Sequence, residues 1–474
     1  MRTTFHLKTL AVAIATLSFA SVTNAAGLDR SGQDVTAFFQ DGTYAEAVYT
    51  YIDADVSGYD SANTNPSQND YVRGDKTGDI AESYDFFRYG VKTDINDTFS
   101  VGVLYDEPFG AAAEYTQSNF VSQGDVDASI ASITNGAAPS LAAAQGAIGA
   151  LAAGETAGVL TPEQQAQLDG LRGAVAVAQA EAGNAGENTN VEVRSQSLTG
   201  ILGMKFGANK NFQIYGGPVA QRIQSETKLR GLAYGPATGY TSNSNPDMDY
   251  GYIAGIAYSK PEIALKAALT YRSEIDHDIE ISESYPLVAI RAIAAGATPE
   301  QAAAAANRDS TYEITTPKSV NFDFQTGINP TTLATAKVRW VPWSDFVITP
   351  PLYNDTSKIS YGPDGLNLVE YDDDQWQVEL GLAKRVAPAL AISGTVGWDS
   401  GAGDPTTSLG PVDGYYSVGL GAKYNVTENW AVSAGGKYLW FGDAKGRLPS
   451  GKIVGDFQDN DGYIAGLKIS YQGK

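Results

Sequence analysis

The side chains with most chemical potential crowd into residues 265–278, LKAALTYRSEIDHD, where Lys266, Arg272, Glu274, Asp276, His277 and Asp278 follow in quick succession. A histidine among carboxylates is raw material for a general base or a metal ligand. The rest of the chain does not supply partners for either. It has 2 histidines, no cysteine and 54 acidic residues against 32 basic ones. Zinc sites and histidine-based triads are therefore almost excluded on inventory, His277 being the one histidine left to serve either. The acidic run YDDDQ (371–375) lacks the ordered spacing of a calcium loop and reads as a solvated edge. No catalytic residue, metal or cofactor is expected. A net charge of −22 also argues against a nucleic-acid partner.

The same stretch shows what must position these groups. Leu265, Ala267, Leu269 and Tyr271 alternate with Lys266, Ala268, Thr270 and Arg272. Successive side chains of a strand point to opposite faces, so this is a strand with one apolar side. Tyr416, Val418, Leu420, Ala422 and Tyr424 repeat the pattern, as do the segments 250–258, 390–398 and 463–471. Aromatic residues cap both ends of the apolar stripe, the mark of a barrel whose outer band meets lipid. Carried forward unbroken, the alternation puts Lys266, Arg272, Glu274, Asp276 and Asp278 on the lumen side, with His277 outward.

Connections alternate in length. Short polar turns fall at 93–97, 208–211, 259–262, 328–332, 386–389 and 426–429, with longer loops between them. Six such turns imply seven hairpins, so the fold expected is a transmembrane antiparallel β-barrel of about 14 strands, including strands near 98–107, 263–280 and 311–327. Residues 1–25 read as a signal peptide, with Arg2 and Lys8 before the apolar run TLAVAIATLSFA. A short N-terminal luminal segment at 26–42 precedes the barrel at 43–474. The expected location is the bacterial outer membrane, with bilayer, lipopolysaccharide and the barrel-assembly machinery as partners.

Two helical extracellular insertions interrupt the pattern, near 108–191 and 281–310. Thr161 and Gln164 form a capping box ahead of a face carrying Leu168, Leu171 and Val175, and Thr298 opens a second TPEQ start. The preceding helix at 285–296 presents Leu287, Ile290 and Ile293. These faces either pad one another as an outer cap or form a landing groove for an apolar ligand.

The lumen is expected to be lined with cations. Arg88, Lys266, Arg272, Lys337 and Arg339, with Arg222 and Lys228, are the candidates to hold an anionic head group, since outward placement at mid-membrane costs roughly 2–4 kcal/mol each. Gly216-Gly217-Pro218 marks one irregular strand, a place for the wall to open sideways. Pro108, in YDEPFG, reads as the end of another strand.

AVYTYIDADVSG (47–58), ALTYRSEI (268–275) and NPTTLATAKVRWVPWSDF (329–346) together resemble the FadL/TodX family of outer-membrane transporters. The resemblance implies a fourteen-stranded barrel with an N-terminal hatch and lateral exit at a kinked strand. It implies passive uptake of long-chain fatty acids or other hydrophobic compounds. Gly32-Gln33-Asp34 stand where that family carries Asn-Pro-Ala. The alternatives are a structural or adhesive barrel, or a general porin.

Overall fold

The computed structural model describes residues 28–473, so the leader at 1–25 lies outside the described residues. The barrel is a closed antiparallel sheet in which Tyr44–Asp55, the first strand, pairs with Asp461–Gln472, the last. Eighteen hydrogen-bonded segments make up this sheet. Four barrel strands are each interrupted once, and fourteen staves result. Strand two is Tyr84–Asp94, and strand three runs as Phe99–Asp106 and then Gly110–Glu114. Strand four is Asn190–Phe206, strand five Phe212–Lys228, and strand six runs as Thr241–Ser244 and then Asp247–Lys260. Strand seven runs as Leu265–Arg272 and Ile275–Ser284, and strand eight as Asn307–Thr316 and Ser319–Asn329.

The outward face is apolar, as the alternation requires. Val418, Leu420, Leu380, Ile392 and Leu467 are exposed along it, with Trp376, Tyr416, Tyr424, Trp430, Trp440 and Tyr463 toward its rims. Such a surface is stable only against hydrocarbon. No described helix is long and apolar enough to cross a membrane; strands do the crossing.

One local slip overturns the orientation expected for the charged stretch. Arg272 and Ser273 are both buried, and Ser273 N donates to Tyr252 O at 3.0 Å while Tyr252 N donates to Ser273 Oγ at 3.0 Å. The strand resumes at Ile275 one step out of phase. Because the side-chain period is two, that slip reverses every following residue. Glu274, Asp276 and Asp278 are exposed on the outer side, whereas His277 is fully buried, held by Asp247 at 2.9 Å and Gln221 at 3.2 Å.

Above the barrel, helices Val126–Ile133, Leu141–Ala157 and Pro162–Gly183 form a cap. Both expected capping boxes are present, at Thr161/Gln164 and Thr298/Gln301. A short five-stranded sheet and the helix Pro351–Tyr361 complete the outer layer. Glu283 joins that helix to the barrel, accepting from Leu352 N at 2.8 Å, Tyr353 N at 3.0 Å and the Tyr240 hydroxyl at 2.9 Å. Beneath the cap lies a broad apolar core around Trp343, Phe109, Tyr115, Phe120 and Phe457.

Candidate functional site

Of the cavities along the barrel, two in the upper half and one at the end of the short turns bear on transport. The outermost holds about 90 Å³ and is walled by Leu232, Tyr234, Tyr285, Leu287, Tyr353 and Leu409 among others. Two cations edge it, Arg291 and Lys452. Lys452 is buried, with Nζ donating to Asn65 O at 2.6 Å. Burial pushes its ammonium down to about 8, against a weaker upward pull from Asp70.

A second cavity of about 70 Å³ shares Leu368, Thr407 and Leu409 with the first and continues inward. Leu28, Ile80, Ala111, Val191, Val193 and Ile348 line it, an almost wholly apolar set. The polar lumen thus begins below it, where the N-terminal segment lies.

That segment is held by the very cations the sequence placed inward. Asp29 accepts from Arg339 Nε at 2.6 Å. Asp34 pairs with Lys337 at 2.7 Å and faces Arg88 at 3.6 Å. Burial alone would raise the Asp34 carboxyl, but Lys337 and Arg88 outweigh it and hold the group far below the usual carboxylate range. Gln33 accepts from the Ser319 hydroxyl at 2.6 Å, and Lys266 donates to Phe39 O at 2.6 Å. Phe38 then fills the bore beside Tyr215, 5.9 Å between ring centroids. It fits because strands three and four offer Gly102 and Gly203 there; a Cβ at either would lie 2.8 Å from its ring.

Below Phe38 and Phe39 a vestibule of about 500 Å³ reaches the short turns, bordered by Lys92, Asp94, Lys205 and Lys266.

The wall itself opens beside strand three. Strands two and three pair from Tyr89↔Tyr105 to Asp94↔Ser100, then part. They meet again higher up, where Ala81 bridges Ala113 and Glu82 N donates to Ala112 O at 3.2 Å. Between these points Pro108 O turns inward and accepts from Arg30 N at 2.8 Å. Pro108 therefore marks a kink within strand three, and the strand continues past it. Strand five, by contrast, stays paired with strand six straight through Gly216, Gly217 and Pro218. Proline lacks a donor toward strand four alone, where the ladder skips between Thr199↔Val219 and Leu202↔Gly216.

Of the head-group candidates, Arg88, Lys266, Lys337 and Arg339 converge on the N-terminal segment, and Arg272 is buried against Ser197 and Thr199 at 3.4 and 3.2 Å. Arg222 and Lys228 do not join them. They share the outer face with Phe212 and Ile214, on a strand long enough that its tip rises beyond the lipid band. Arg222 is exposed, and Lys228 pairs with Glu226 at 2.5 Å. Of the capture candidates, Leu287 lines the outer cavity. Leu168 is buried within its helix packing, and Leu171 and Val175 pack against Ile130 and Ala144, so they pad the cap. Ile290 leans on the main core and Ile293 is exposed. The sequence reading missed Asp29, Asp34 and Lys452; the short DRSGQD run, with an aspartate at each end, was the available signal for the first two.

Residues 35–472 match the model of a family described as outer membrane protein transport protein (OMPP1/FadL/TodX). No curated protein matches the chain. Among solved structures, a Pseudomonas aeruginosa FadL homologue superposes with a TM-score of 0.58 at 14% identity, covering 91% of this chain and 90% of that one. The P. putida toluene transporter TodX gives a TM-score of 0.51 at 10% identity, covering 96% and 94%. At such identities the likeness concerns the fold.

Proposed function

This chain belongs to the FadL/TodX family of outer membrane transport proteins, and from that premise we propose that it takes up long-chain fatty acids or similar amphiphiles passively. It is a hydrophobic-compound channel of the outer membrane. The observation that carries the finer reading is the sequence of spaces. An apolar cavity edged by Lys452 and Arg291 adjoins a more apolar one, and that one touches the strand-three kink through Gly110 and Ala111. A ligand would enter at the outer cavity with its tail toward Tyr234 and Leu287. It would pass inward beneath the cap and leave sideways through the gap beside strand three. Residues 26–42 would act as a hatch that closes the bore to water and ions. Lipopolysaccharide would surround the outer rim, and the barrel-assembly machinery would insert the strands.

Restoring the gene to cells that lack it should raise uptake of labelled oleate. Unchanged uptake of both oleate and monoaromatic hydrocarbons would end the proposal. The neighbouring TodX is a toluene transporter by its description, which makes toluene the natural comparison ligand.

Capture of a carboxylate should also depend on pH. Lys452 is an ammonium below about 8 and a neutral amine above it. Binding of oleate to the purified protein should therefore weaken between pH 7 and 9, whereas binding of oleyl alcohol should not. Lys452→Met should flatten the oleate profile; a wild-type profile already flat would remove Lys452 from the site.

A further inference from the structure

The gap in the wall holds a cation that no carboxylate of the described residues contacts; Glu107 and Glu192 act on it only from beyond ion-pair distance. Arg30 is 5% exposed, yet it makes no ion pair among the described residues, and its Nε has no hydrogen-bond partner. Two neighbouring cations are matched, Arg339 by Asp29 and Lys337 by Asp34, while Lys266 has the Phe39 carbonyl. Arg30 instead stacks on Tyr84, with Cζ 3.9 Å from the ring centroid. On its other side stands Gly110, where a Cβ would lie 2.3 Å from the same Cζ. Tyr84 belongs to strand two and Gly110 to strand three, at the level where the two strands are parted. The guanidinium thus lies between the two edges of the opening. Leu28, two residues before it, and Gly110 both line the inner apolar cavity.

Burying a cation with no carboxylate in contact is unfavourable, and an aromatic face offsets that in part. A group that brings a carboxylate to the free Nε edge would complete the arrangement. It would form a charge-assisted, planar contact of the kind guanidinium favours. We propose that Arg30 is a specificity residue at the exit, where it binds the carboxylate of an amphiphile whose tail occupies the inner cavity. Contact with the carboxylate draws the guanidinium from Tyr84 and opens the gap. A neutral hydrocarbon has nothing to offer it and passes without that exchange. The proposal rests on the uptake reading above and names the ligand class at its exit.

The test compares oleate, oleyl alcohol and toluene uptake in cells carrying wild-type protein, Arg30→Gln or Arg30→Lys, at matched amounts of folded barrel. Losing one charged hydrogen-bonding partner should lower oleate uptake about tenfold in Arg30→Gln. Toluene and oleyl alcohol uptake should hold or rise. Arg30→Lys, which keeps the charge and most of the stem, should retain more oleate uptake than Arg30→Gln and guards against a folding defect. Equal loss for all three compounds would mean that Arg30 only latches the segment to the wall, and would overturn the proposal. So would unchanged oleate uptake in Arg30→Gln. A wild-type protein that carries toluene but not oleate would overturn it while leaving hydrocarbon uptake standing. A wild-type protein that carries neither would instead defeat the uptake reading itself.

Discussion

Asp34→Ala is expected to free the N-terminal segment and turn a closed bore into a conducting one. The Asp34 carboxylate is buried and takes four groups: Lys337 Nζ at 2.7 Å, Arg88 at 3.6 Å, Thr36 N at 2.7 Å and the Thr36 hydroxyl at 2.5 Å. Lys337 keeps Asp323 at 3.7 Å, and Arg88 keeps Glu46 at 3.7 Å, so neither cation is left wholly alone. Both still lose their link to the segment. Breaking a buried pair from one side costs roughly 3–5 kcal/mol, because the partner's desolvation is no longer offset. The segment's other ion pair, Asp29 to Arg339, with Lys266 on the Phe39 carbonyl, then has to hold it against its own chain entropy. Single-channel recording in planar bilayers should show a raised, persistent conductance. Adding Lys337→Met to Asp34→Ala should lower it again, since the stranded charge goes with it. Conductance that stays at the wild-type level in Asp34→Ala would mean that Phe38 and its ring contacts hold the segment without help from charge.

Trp343→Ala should be the most destabilising single change in the outer half, by about 3–5 kcal/mol from the lost volume alone. Trp343 is fully buried and meets Phe109, Phe346 and Tyr371 at centroid distances of 5.8, 5.2 and 5.6 Å. Its indole N–H donates to Gln375 Oε1 at 2.9 Å, and Gln375 in turn donates to Asp399 at 2.7 Å. Truncation therefore leaves a cavity and an orphaned buried acceptor together, the second worth about 1–3 kcal/mol. Phe109 follows Pro108 directly, so Trp343 also braces the kink from inside. Denaturant unfolding of the purified barrel should show the loss, with Trp343→Phe about half as damaging because it keeps the ring but not the donor. Equal stability of wild type and Trp343→Ala would show that neighbouring rings collapse into the space.

Much of this was legible in the chain. Period-two alternation with aromatic ends specifies a lipid-facing barrel, because no other solvent accepts a surface carrying Leu420 beside Val418 and Tyr416. Turn lengths carried the strand number, and the helix starts were written in TPEQ. The inward placement of Arg88, Lys337 and Arg339 followed from the cost of the opposite. Even the outward fate of Arg222 was available from its shared parity with Phe212 and Ile214.

What the chain could not disclose is whatever depends on where the alternation is broken or on partners far apart in sequence. A slip between Arg272 and Ile275 carries no marker in composition, yet it exchanges His277 with Glu274, Asp276 and Asp278 across the wall. Asp29 and Arg339 lie 310 residues apart, and nothing local says that they meet. Likewise Pro108 and Pro218 look alike as breakers. The tertiary structure made one a kink facing the N-terminal segment and left the other within a paired strand, because Arg30 was there to take the carbonyl that Pro108 turned inward. Local pattern thus determined the barrel and its two faces. Long-range electrostatics and a single change of register decided what fills the lumen and where the wall stands open.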